Sequence, residues 1–288
     1  MAKERNVVWF QAAGCSGCAV SVLNAESPAV KNLLVDEVVP GAHVSLKFMP
    51  TIMAGSGQIV LNVLKNCQTG EVKNFILVVE GSVLTSENGA FGLLGDDEKG
   101  KPIPMTKTLL ELVKKADAII ALGTCASFGG IPKGSGNVTG AVPVSEFLKQ
   151  NSVKKPLINV PGCPPHPDWF VNTVAKVILF GLPKPEELDE LGRPKDFYGK
   201  LIHDNCPRRA HFDVGRFARN PNEPGCLYEL GCKGPVTYAD CPLRKWNNGT
   251  NWCVDNNSPC NGCTEPGYPD FMSPLYKKKI ADEIKVKL

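Results

Sequence analysis

The fold of this chain is decided between residues 7 and 23, which read VVWFQAAGCSGCAVSVL. Residues 7–11 form a short apolar run, which is typical of a strand buried inside a sheet. The next residues bring glycines that permit close backbone approach and two cysteines in Cys-x-x-Cys spacing. Residues 17–25 then have the pattern of a helix. The stretch predicts a buried strand that leads directly into a cysteine-bearing turn and a helix.

The same alternation of strand and helix continues to about residue 182. The predicted strands are 7–11, 43–49, 75–80, 118–123 and 157–160. The predicted helices are 17–25, 58–66, 105–115, 145–150 and 168–180. Such alternation implies a parallel sheet with helices on both faces. Sheets of this kind hold their ligand beyond the carboxyl ends of the strands, where the connection order reverses.

The pattern fails from Pro183 onward. The remaining segment is rich in Pro, Gly, Asn and Cys, and only residues 214–218 hint at a helix. So loop-rich a stretch cannot bury enough apolar surface to offset its conformational entropy. It contains seven cysteines together with His203 and His211, so we expect bound metal to stabilise the fold of this segment. We therefore predict two domains, residues 1–182 and 183–288.

Composition argues against several other classes of protein. A net charge of +3 is too small to indicate nucleic acid or a general membrane surface as partner. No apolar run of about 18 residues is present, so no spanning helix is predicted. The start, Met-Ala-Lys-Glu-Arg, has neither a secretory signal pattern nor a twin arginine. The sequence as it stands predicts a cytoplasmic protein, and a processed mature form of a periplasmic protein has the same kind of start.

Twelve cysteines are the outstanding feature of the composition. A disulfide framework needs an oxidising compartment, and the start of the chain shows no export signal, so we disfavour it. Two pairs, Cys15/Cys18 and Cys260/Cys263, have the Cys-x-x-Cys spacing of a metal centre or a redox pair. Cys67 lies at the end of a predicted helix and is expected to be a buried small apolar residue.

Four cysteines follow the ends of the first, fourth and fifth predicted strands. We call them the sheet-edge set: Cys15, Cys18, Cys125 and Cys163. The ends of parallel strands lie at one edge of a sheet, so the four thiolates can converge. Four cysteines fit zinc or a [4Fe–4S] cluster by ligand count. A thioredoxin-like redox pair would account for Cys15 and Cys18 but would leave Cys125 and Cys163 unexplained. Structural zinc sites usually use two closely spaced cysteine pairs, whereas this set has one such pair and two distant cysteines. An iron–sulfur cluster is therefore favoured over both alternatives.

Two further quartets are predicted in the second domain. The histidine set is His203, Cys206, Cys226 and Cys232. The C-terminal set is Cys241, Cys253, Cys260 and Cys263. Dividing the ligands into these two sets requires shorter chain loops between the ligands of each site than other divisions do. The spacing alone does not exclude other divisions. One imidazole among thiolates is compatible with an iron–sulfur cluster and raises its potential, with His211 as the alternative to His203.

Six motifs occur in order along nearly the whole chain. They are GCSGC at 14–18, EGS at 80–82, GTCA at 123–126, PGCPPHP at 161–167, GCKGP at 231–235 and CNGC at 260–263. Together they resemble the small subunit of nickel–iron hydrogenases. The resemblance implies a flavodoxin-like parallel sheet domain followed by a loop-rich iron–sulfur domain with little regular structure.

The resemblance also assigns roles to the three sets. The sheet-edge set resembles the ligands of a proximal cluster, the histidine set those of a distal cluster, and the C-terminal set those of a medial cluster. Standard members have a proline in place of Cys253 and a medial [3Fe–4S] cluster. The cysteine here implies three [4Fe–4S] clusters, as in the selenium-containing branch. Glu80 follows an apolar strand and is a candidate neighbour of the proximal site, either fixing a loop or handling protons.

The function that the resemblance implies is electron conduction without a catalytic residue in this chain. A large partner subunit, in a heterodimer or a dimer of heterodimers, would hold the nickel–iron centre that converts H2 to two protons and two electrons. Electrons would pass to an external carrier such as ferredoxin or a cytochrome. Four arginines form a candidate basic rim for that carrier, with a solvated face as the alternative: Arg208, Arg209, Arg216 and Arg219. The rival functions are an iron–sulfur protein of a non-hydrogenase redox complex and a zinc-stapled binding protein.

Overall fold

A five-stranded parallel sheet organises the first part of the chain. The computed structural model describes residues 3–26, 28–34 and 42–279. The strands are β1 (Lys3–Gln11), β2 (Ala42–Phe48), β3 (Phe75–Glu80), β4 (Val83–Leu84), β5 (Leu93–Asp96), β6 (Pro102–Pro104), β7 (Ala118–Leu122), β8 (Ala141–Val142) and β9 (Leu157–Val160). The sheet has the order β2-β1-β3-β7-β9, and two short antiparallel pairs, β4 with β8 and β5 with β6, lie outside it.

Helices follow most of the sheet strands. They are α1 (Gly17–Leu23), α2 (Val30–Leu34), α3 (Gln58–Thr69), α4 (Met105–Lys115), α5 (Gly123–Phe128), α6 (Val144–Gln150), α7 (Pro167–Phe180), α8 (Lys195–Tyr198), α9 (Arg209–Asp213) and α10 (Cys241–Arg244). Short 3-10 turns occur at Ser86–Gly89, Ile131–Lys133, Pro185–Glu187, Ile202–Asn205, Leu227–Leu230, Gly234–Val236 and Asp270–Met272. No helix in the described part of the chain is long and apolar enough to span a bilayer.

The core forms because the sheet and its helices present apolar faces to one another. All six residues of β3 and all five of β7 are buried, as expected for parallel strands covered on both sides. Helix α4 buries Leu109, Leu112 and Val113, which share one face at helical spacing. These side chains join Leu77 and Phe147 in one cluster. Each large apolar side chain buried in this way contributes about 1.5–3 kcal/mol.

The sheet order reverses direction next to β1, which has β2 on one side and β3 on the other. This is the flavodoxin-like order, whose ligand site lies at the carboxyl ends beside the reversal. The carboxyl ends of four strands are level: Gln11 pairs with Glu80, Glu80 with Leu122, and Leu122 with Val160. The loops that carry the sheet-edge set therefore all begin at one edge.

The chain divides into two compact units, residues 1–184 and 185–288. In the first unit, the five predicted strands and five predicted helices are confirmed, with ends that shift by up to about four residues. The predicted strand 118–123 stops at Leu122, because Gly123 already begins α5. The described residues of the second unit, up to residue 279, form loops, single turns and very short helices, as predicted.

The predicted helix at 214–218 is wrong. Gly215 has a φ of +70°, which ends the preceding helix α9. The following backbone pairs with another segment instead of with itself: the Cys226 amide donates to Arg216 O at 3.0 Å, and the Ala218 amide donates to Cys226 O at 3.0 Å. Tertiary pairing therefore overrides the weak helical pattern, and it fixes Cys226 in place.

Candidate metal centres

The structure brings the sheet-edge set together beyond the level strand ends. Cys15 follows β1, Cys18 lies in the first turn of α1, Cys125 lies in α5 and Cys163 follows β9. Burial raises the pKa of the Cys18 thiol, and Glu80 and the other three thiols of the set raise it further. Burial also raises the pKa of Cys125 to about 11, with Cys163 as the next cause. The four sulfurs therefore share one electrostatic environment.

Hydroxyl side chains hold the loops of this set in position. Thr124 is bound twice to Gly162: its amide donates to Gly162 O at 2.9 Å, and its Oγ1 accepts from the Gly162 amide at 2.9 Å. Ser82, which is fully buried, donates to Cys125 O at 3.1 Å and to Gly129 O at 2.6 Å. These bonds connect the loops after β3, β7 and β9, and they fix the spacing between Cys125 and Cys163.

Gly123 is required where β7 turns into α5. Its φ is +87°, in the left-handed region that disfavours other residues, and a Cβ at this position would lie 2.4 Å from Cys18 Sγ. A side chain here would therefore strain the backbone and also displace a thiol of the sheet-edge set.

Glu80 lies at the end of β3 and is 1% exposed. Its Oε2 accepts from Trp9 Nε1 at 2.9 Å, and its Oε1 accepts from the Ala19 amide at 3.2 Å. Ala19 follows Cys18 directly, so this carboxylate ties the cysteine turn to β1 and β3. These contacts favour the loop-fixing role of Glu80 over the proton-handling role.

The histidine set lines one cavity in the second unit. His203, Cys206, Cys226 and Cys232 all contribute to its wall, together with Trp252. His211 is not among the lining residues. Burial raises the pKa of Cys206 to about 11, with the thiols of Cys232 and Cys226 adding to the effect.

His203 has the environment of a metal ligand. It is 8% exposed, and among the residues that the structure describes its Nε2 has no hydrogen-bond partner. Its ring makes an edge contact with Phe212 at 4.5 Å between centroids. Burial lowers its pKa, and the nearby Arg209 lowers it further, so the neutral form that binds metal is favoured. A buried unpaired ring nitrogen beside three thiols fits a metal centre better than a surface histidine.

The C-terminal set is also gathered in the second unit. Burial raises the pKa of Cys241, and the thiols of Cys263 and Cys253 raise it further. For Cys260, burial is again the main cause of a raised pKa, followed by Cys232 of the histidine set and then by Cys263. Because Cys260 interacts with members of both sets, the two sets adjoin. The Lys233 amide, next to Cys232, donates to Cys260 O at 2.7 Å.

The donor chemistry of the three sets fits iron–sulfur clusters. All twelve cysteines are free thiols, so none is used in a disulfide. Within the described ranges, no three His, Cys, Asp or Glu side chains are arranged to hold a single metal ion. A cluster binds its cysteines through separate iron atoms and does not need them to converge on one point. Cys67, the twelfth cysteine, is fully buried in the apolar core, as predicted.

Sequence reasoning missed the second-unit tryptophans and the hydroxyl ties of the first unit. Trp252 lines the cavity of the histidine set, and the Trp246 side chain makes a hydrogen bond to the Cys241 thiol. The signal in the sequence was weak: an aromatic residue directly before Cys253, and another five residues after Cys241.

A parallel sheet with cysteines at its carboxyl edge, joined to a cysteine-rich loop unit, defines an electron-transferring part of a redox enzyme. Residues 198–276 match the family model for the C-terminal part of the NiFe/NiFeSe hydrogenase small subunit, and residues 15–177 match the 20 kDa subunit of NADH ubiquinone oxidoreductase. The chain belongs to the NiFe/NiFeSe hydrogenase small-subunit family. The resemblance drawn from the six motifs is confirmed.

Similar proteins support this along nearly the whole chain. The periplasmic [NiFeSe] hydrogenase small subunit of Desulfomicrobium baculatum is 44% identical over 96% of this chain and 88% of its own length. The periplasmic [NiFe] hydrogenase small subunit of Solidesulfovibrio fructosivorans is 41% identical, over 96% and 83%. A crystal structure of the reduced, active Ni-Fe-Se hydrogenase from Desulfomicrobium baculatum superposes with a TM-score of 0.89 and 43% identity, covering 96% of this chain and all of that one.

The predicted fold class and the assignment to a hydrogenase, as its electron-transferring subunit, are confirmed by these comparisons. The family matches also show why the sequence allowed a second assignment, to a non-hydrogenase redox complex. The first-unit match is shared with the NADH ubiquinone oxidoreductase family, whereas the match in the second unit is to hydrogenase small subunits. The second unit therefore decides between the two.

Proposed function

We propose that this chain conducts electrons through three [4Fe–4S] clusters between the nickel–iron centre of a large partner subunit and an external carrier. The observation that carries the proposal is a cavity lined by three cysteines and by His203, whose Nε2 has no hydrogen-bond partner among the described residues. The clusters, when bound, supply one-electron redox chemistry. The chain's own residues hold them, exclude water from them and set their electrostatic environment.

Each set holds one cluster in this proposal. The sheet-edge set holds the proximal cluster, facing the large subunit. The C-terminal set holds the medial cluster, and the histidine set holds the distal cluster. The electrostatic contact between Cys260 and Cys232 supports the medial and distal sites as neighbours along the path. Buried thiols with raised pKa values favour the protonated form, so binding to iron must release their protons.

The medial cluster is [4Fe–4S] in our proposal because Cys253 supplies a fourth thiolate. The thiol of Cys253 contributes to the raised pKa of Cys241, which supports its membership of the same set. A fourth thiolate adds negative charge, so we expect a lower medial potential than a three-cysteine site has. Redox titration followed by electron paramagnetic resonance tests this. An oxidised [3Fe–4S] signal from the wild-type protein would overturn it.

A Cys253→Pro variant sharpens the test. It removes the proposed fourth ligand, and we expect it to create the oxidised [3Fe–4S] signal and to lose about one iron atom. Cys67→Ala is the matched control, because it removes a buried cysteine that belongs to no set. The control should keep every cluster signal of the wild type.

The whole proposal is tested by purifying the native complex of this chain with its large subunit. We expect a brown protein with broad absorption, equal amounts of iron and acid-labile sulfide in this chain, and about four iron atoms for each of three clusters. Nickel and selenium analysis identifies the metal centre of the partner. A colourless, zinc-containing chain would refute the proposal.

The names of the relatives favour a periplasmic location. Both small subunits compared above are described as periplasmic, which gives no support to the cytoplasmic expectation. We infer that the mature chain works in the periplasm with a large subunit, as a heterodimer or a dimer of heterodimers. Fractionation of cells with an antibody against the chain tests the location, and recovery in the cytoplasmic fraction would contradict it.

The carrier that accepts the electrons is a ferredoxin or a cytochrome in this proposal. Two of the four arginines suggested as its docking rim are already engaged. Arg209 pairs with Asp213 at 2.8 Å and with Asp204 at 3.6 Å, and Arg208 donates to Gly225 O at 3.0 Å. The rim is therefore partly neutralised, and we expect only a weak effect of salt on the transfer rate. A steep fall of the rate with salt would show that the rim steers the carrier.

A further inference from the structure

A short loop in the second unit carries a tryptophan at each end. The loop is closed by paired backbone hydrogen bonds: the Trp246 amide donates to Asn251 O at 2.6 Å, and the Asn251 amide donates to Trp246 O at 3.3 Å. Trp252 follows directly. Because these hydrogen bonds close the loop at its base, they fix the backbone positions of the two tryptophans relative to each other.

Trp252 has an unsatisfied donor. It is 2% exposed, and its Nε1 has no hydrogen-bond partner within the described part of the chain. An indole nitrogen can only donate, and a buried donor without an acceptor loses its hydrogen bond to water with no compensation. Native folds rarely keep such a group without a partner in the functional state. The side chain lines the same cavity as His203 and three thiols, so the missing acceptor belongs to whatever fills that cavity.

Trp246, at the other end of the loop, also lies beside a set of cysteines, but its side chain has a hydrogen-bond partner within the chain. Its side chain makes a hydrogen bond to the thiol of Cys241, a member of the C-terminal set. The two ends of one loop thus face two neighbouring sets of cysteines. Trp246 reaches a sulfur that the chain provides, and Trp252 faces a site whose remaining sulfurs would come with the cluster.

We propose that the Trp252 indole N–H donates a hydrogen bond to a sulfur of the cluster held by the histidine set and thereby raises its reduction potential. This rests on the proposed function. The reduced cluster carries one more negative charge than the oxidised one, so a donor to sulfur stabilises the reduced form more. The loop therefore sets two adjacent potentials, one from each end. Trp252 is a tuning residue that touches the cluster without being one of its ligands.

The test compares Trp252→Phe with Trp246→Phe in the complete complex. Both variants remove one indole N–H and keep an aromatic ring. For Trp252→Phe we expect unchanged iron and sulfide, and a lower midpoint potential of the histidine-set cluster. At a fixed electrode potential its ratio of reduced to oxidised form should fall about three- to tenfold, where tenfold equals ~59 mV for one electron. Trp246→Phe should leave that cluster unchanged and shift the C-terminal one.

Spectroscopy assigns each signal and provides a second readout. The histidine-set cluster is recognised by the nitrogen coupling of its imidazole ligand in electron–nuclear double resonance. In the wild type, we expect an exchangeable proton coupled to this cluster, and a further nitrogen coupling when tryptophan is labelled with 15N at the indole nitrogen. Trp252→Phe should abolish both. If that variant does not assemble, the labelled wild type still decides the question.

Two different failures can be told apart. Clusters present with an unchanged midpoint in Trp252→Phe, or with no coupling to the labelled indole nitrogen in the wild type, would overturn the role of Trp252 alone. A complex without iron and sulfide in this chain would instead remove the proposed function on which the inference depends.

Discussion

Arg193 donates a hydrogen bond of 3.0 Å from one terminal nitrogen to Glu265 Oε1, and both side chains are almost fully buried. Arg193 also donates from Nε to Asp189 Oδ2 at 2.7 Å. The rings of Tyr198 and Tyr238 lie 5.5 and 5.6 Å from its guanidinium carbon. This network joins the start of the second unit to the loop that follows Cys263, so it braces the C-terminal set from outside.

Replacing Arg193 with Leu should destabilise the second unit severely. The change leaves the buried Glu265 and the partly buried Asp189 without their cation, and breaking a buried pair such as Arg193–Glu265 costs about 3–5 kcal/mol. The measurement is the denaturant midpoint for bleaching of the cluster absorption. Arg209→Leu is the control, since its pairs with Asp213 and Asp204 are exposed and therefore strongly screened by solvent. Equal midpoints for the two variants would contradict the bracing role.

Gly123→Ala should remove the cluster of the sheet-edge set. The new methyl group would lie 2.4 Å from Cys18 Sγ on a backbone with a φ of +87°. We expect the iron content to fall by about four atoms per chain. Gly136→Ala is a matched control, because its φ is +93° and nothing lies within 4 Å of the added methyl group. The control should keep the full iron content, and a similar loss in both variants would point to backbone strain alone.

Glu80→Gln tests the loop-fixing role of this carboxylate. Both of its oxygens accept hydrogen bonds from N–H donors, so an amide nitrogen in place of one oxygen leaves a donor unpaired. We expect a loss of about 1–3 kcal/mol in unfolding free energy, with the proximal cluster retained. Trp9→Phe leaves one buried carboxylate oxygen without its donor and also replaces a buried indole by a smaller ring, so it should cost at least as much. A fall in proton-exchange activity without a loss of stability would instead indicate proton handling.

Lys233→Met should lower the potentials of the two clusters that flank it. The Lys233 side chain is 1% exposed, and its ammonium donates to Gly231 O at 2.6 Å and to Lys277 O at 2.9 Å. A buried positive charge stabilises the reduced state of a nearby cluster, so its removal should shift the midpoints down by on the order of tens of millivolts. Lys278→Met is the control, because this exposed lysine pairs with Glu229 at the surface. Unchanged midpoints in Lys233→Met would refute the electrostatic role.

The sequence predicts the sheet and its cysteine edge well because both depend on local pattern. Apolar runs of strand length recur between helical stretches, which identifies the strands. Because the strands are parallel and their ends are level, the cysteines that follow them lie at one edge of the sheet. The short helix α5 could not be predicted. Its residues GTCASF have little helical pattern, and it is held by tertiary bonds from the Ser82 hydroxyl and by the conformation of Gly123.

The second unit is less predictable because long-range contacts decide it. Spacing alone left His203 and His211 as alternatives, and the choice depends on which ring reaches the cavity. The helix expected at 214–218 is lost to pairing with Cys226. The donor role suggested for Trp252 depends on burial of one nitrogen atom, which no sequence pattern reveals.

Because the strand ends are level, the two edges of the sheet in the first unit differ in how well they tolerate inserted residues. An extra residue between Gln11 and Cys15 would slide a thiol by about 3.3 Å relative to its neighbours. Added length at the opposite edge, as in the exposed turn at residues 151–156 between α6 and β9, is taken up by solvent-facing backbone. Affinity tags, reporter insertions and surface-immobilisation handles therefore belong on that far edge, where they can be attached without disturbing the sulfur atoms.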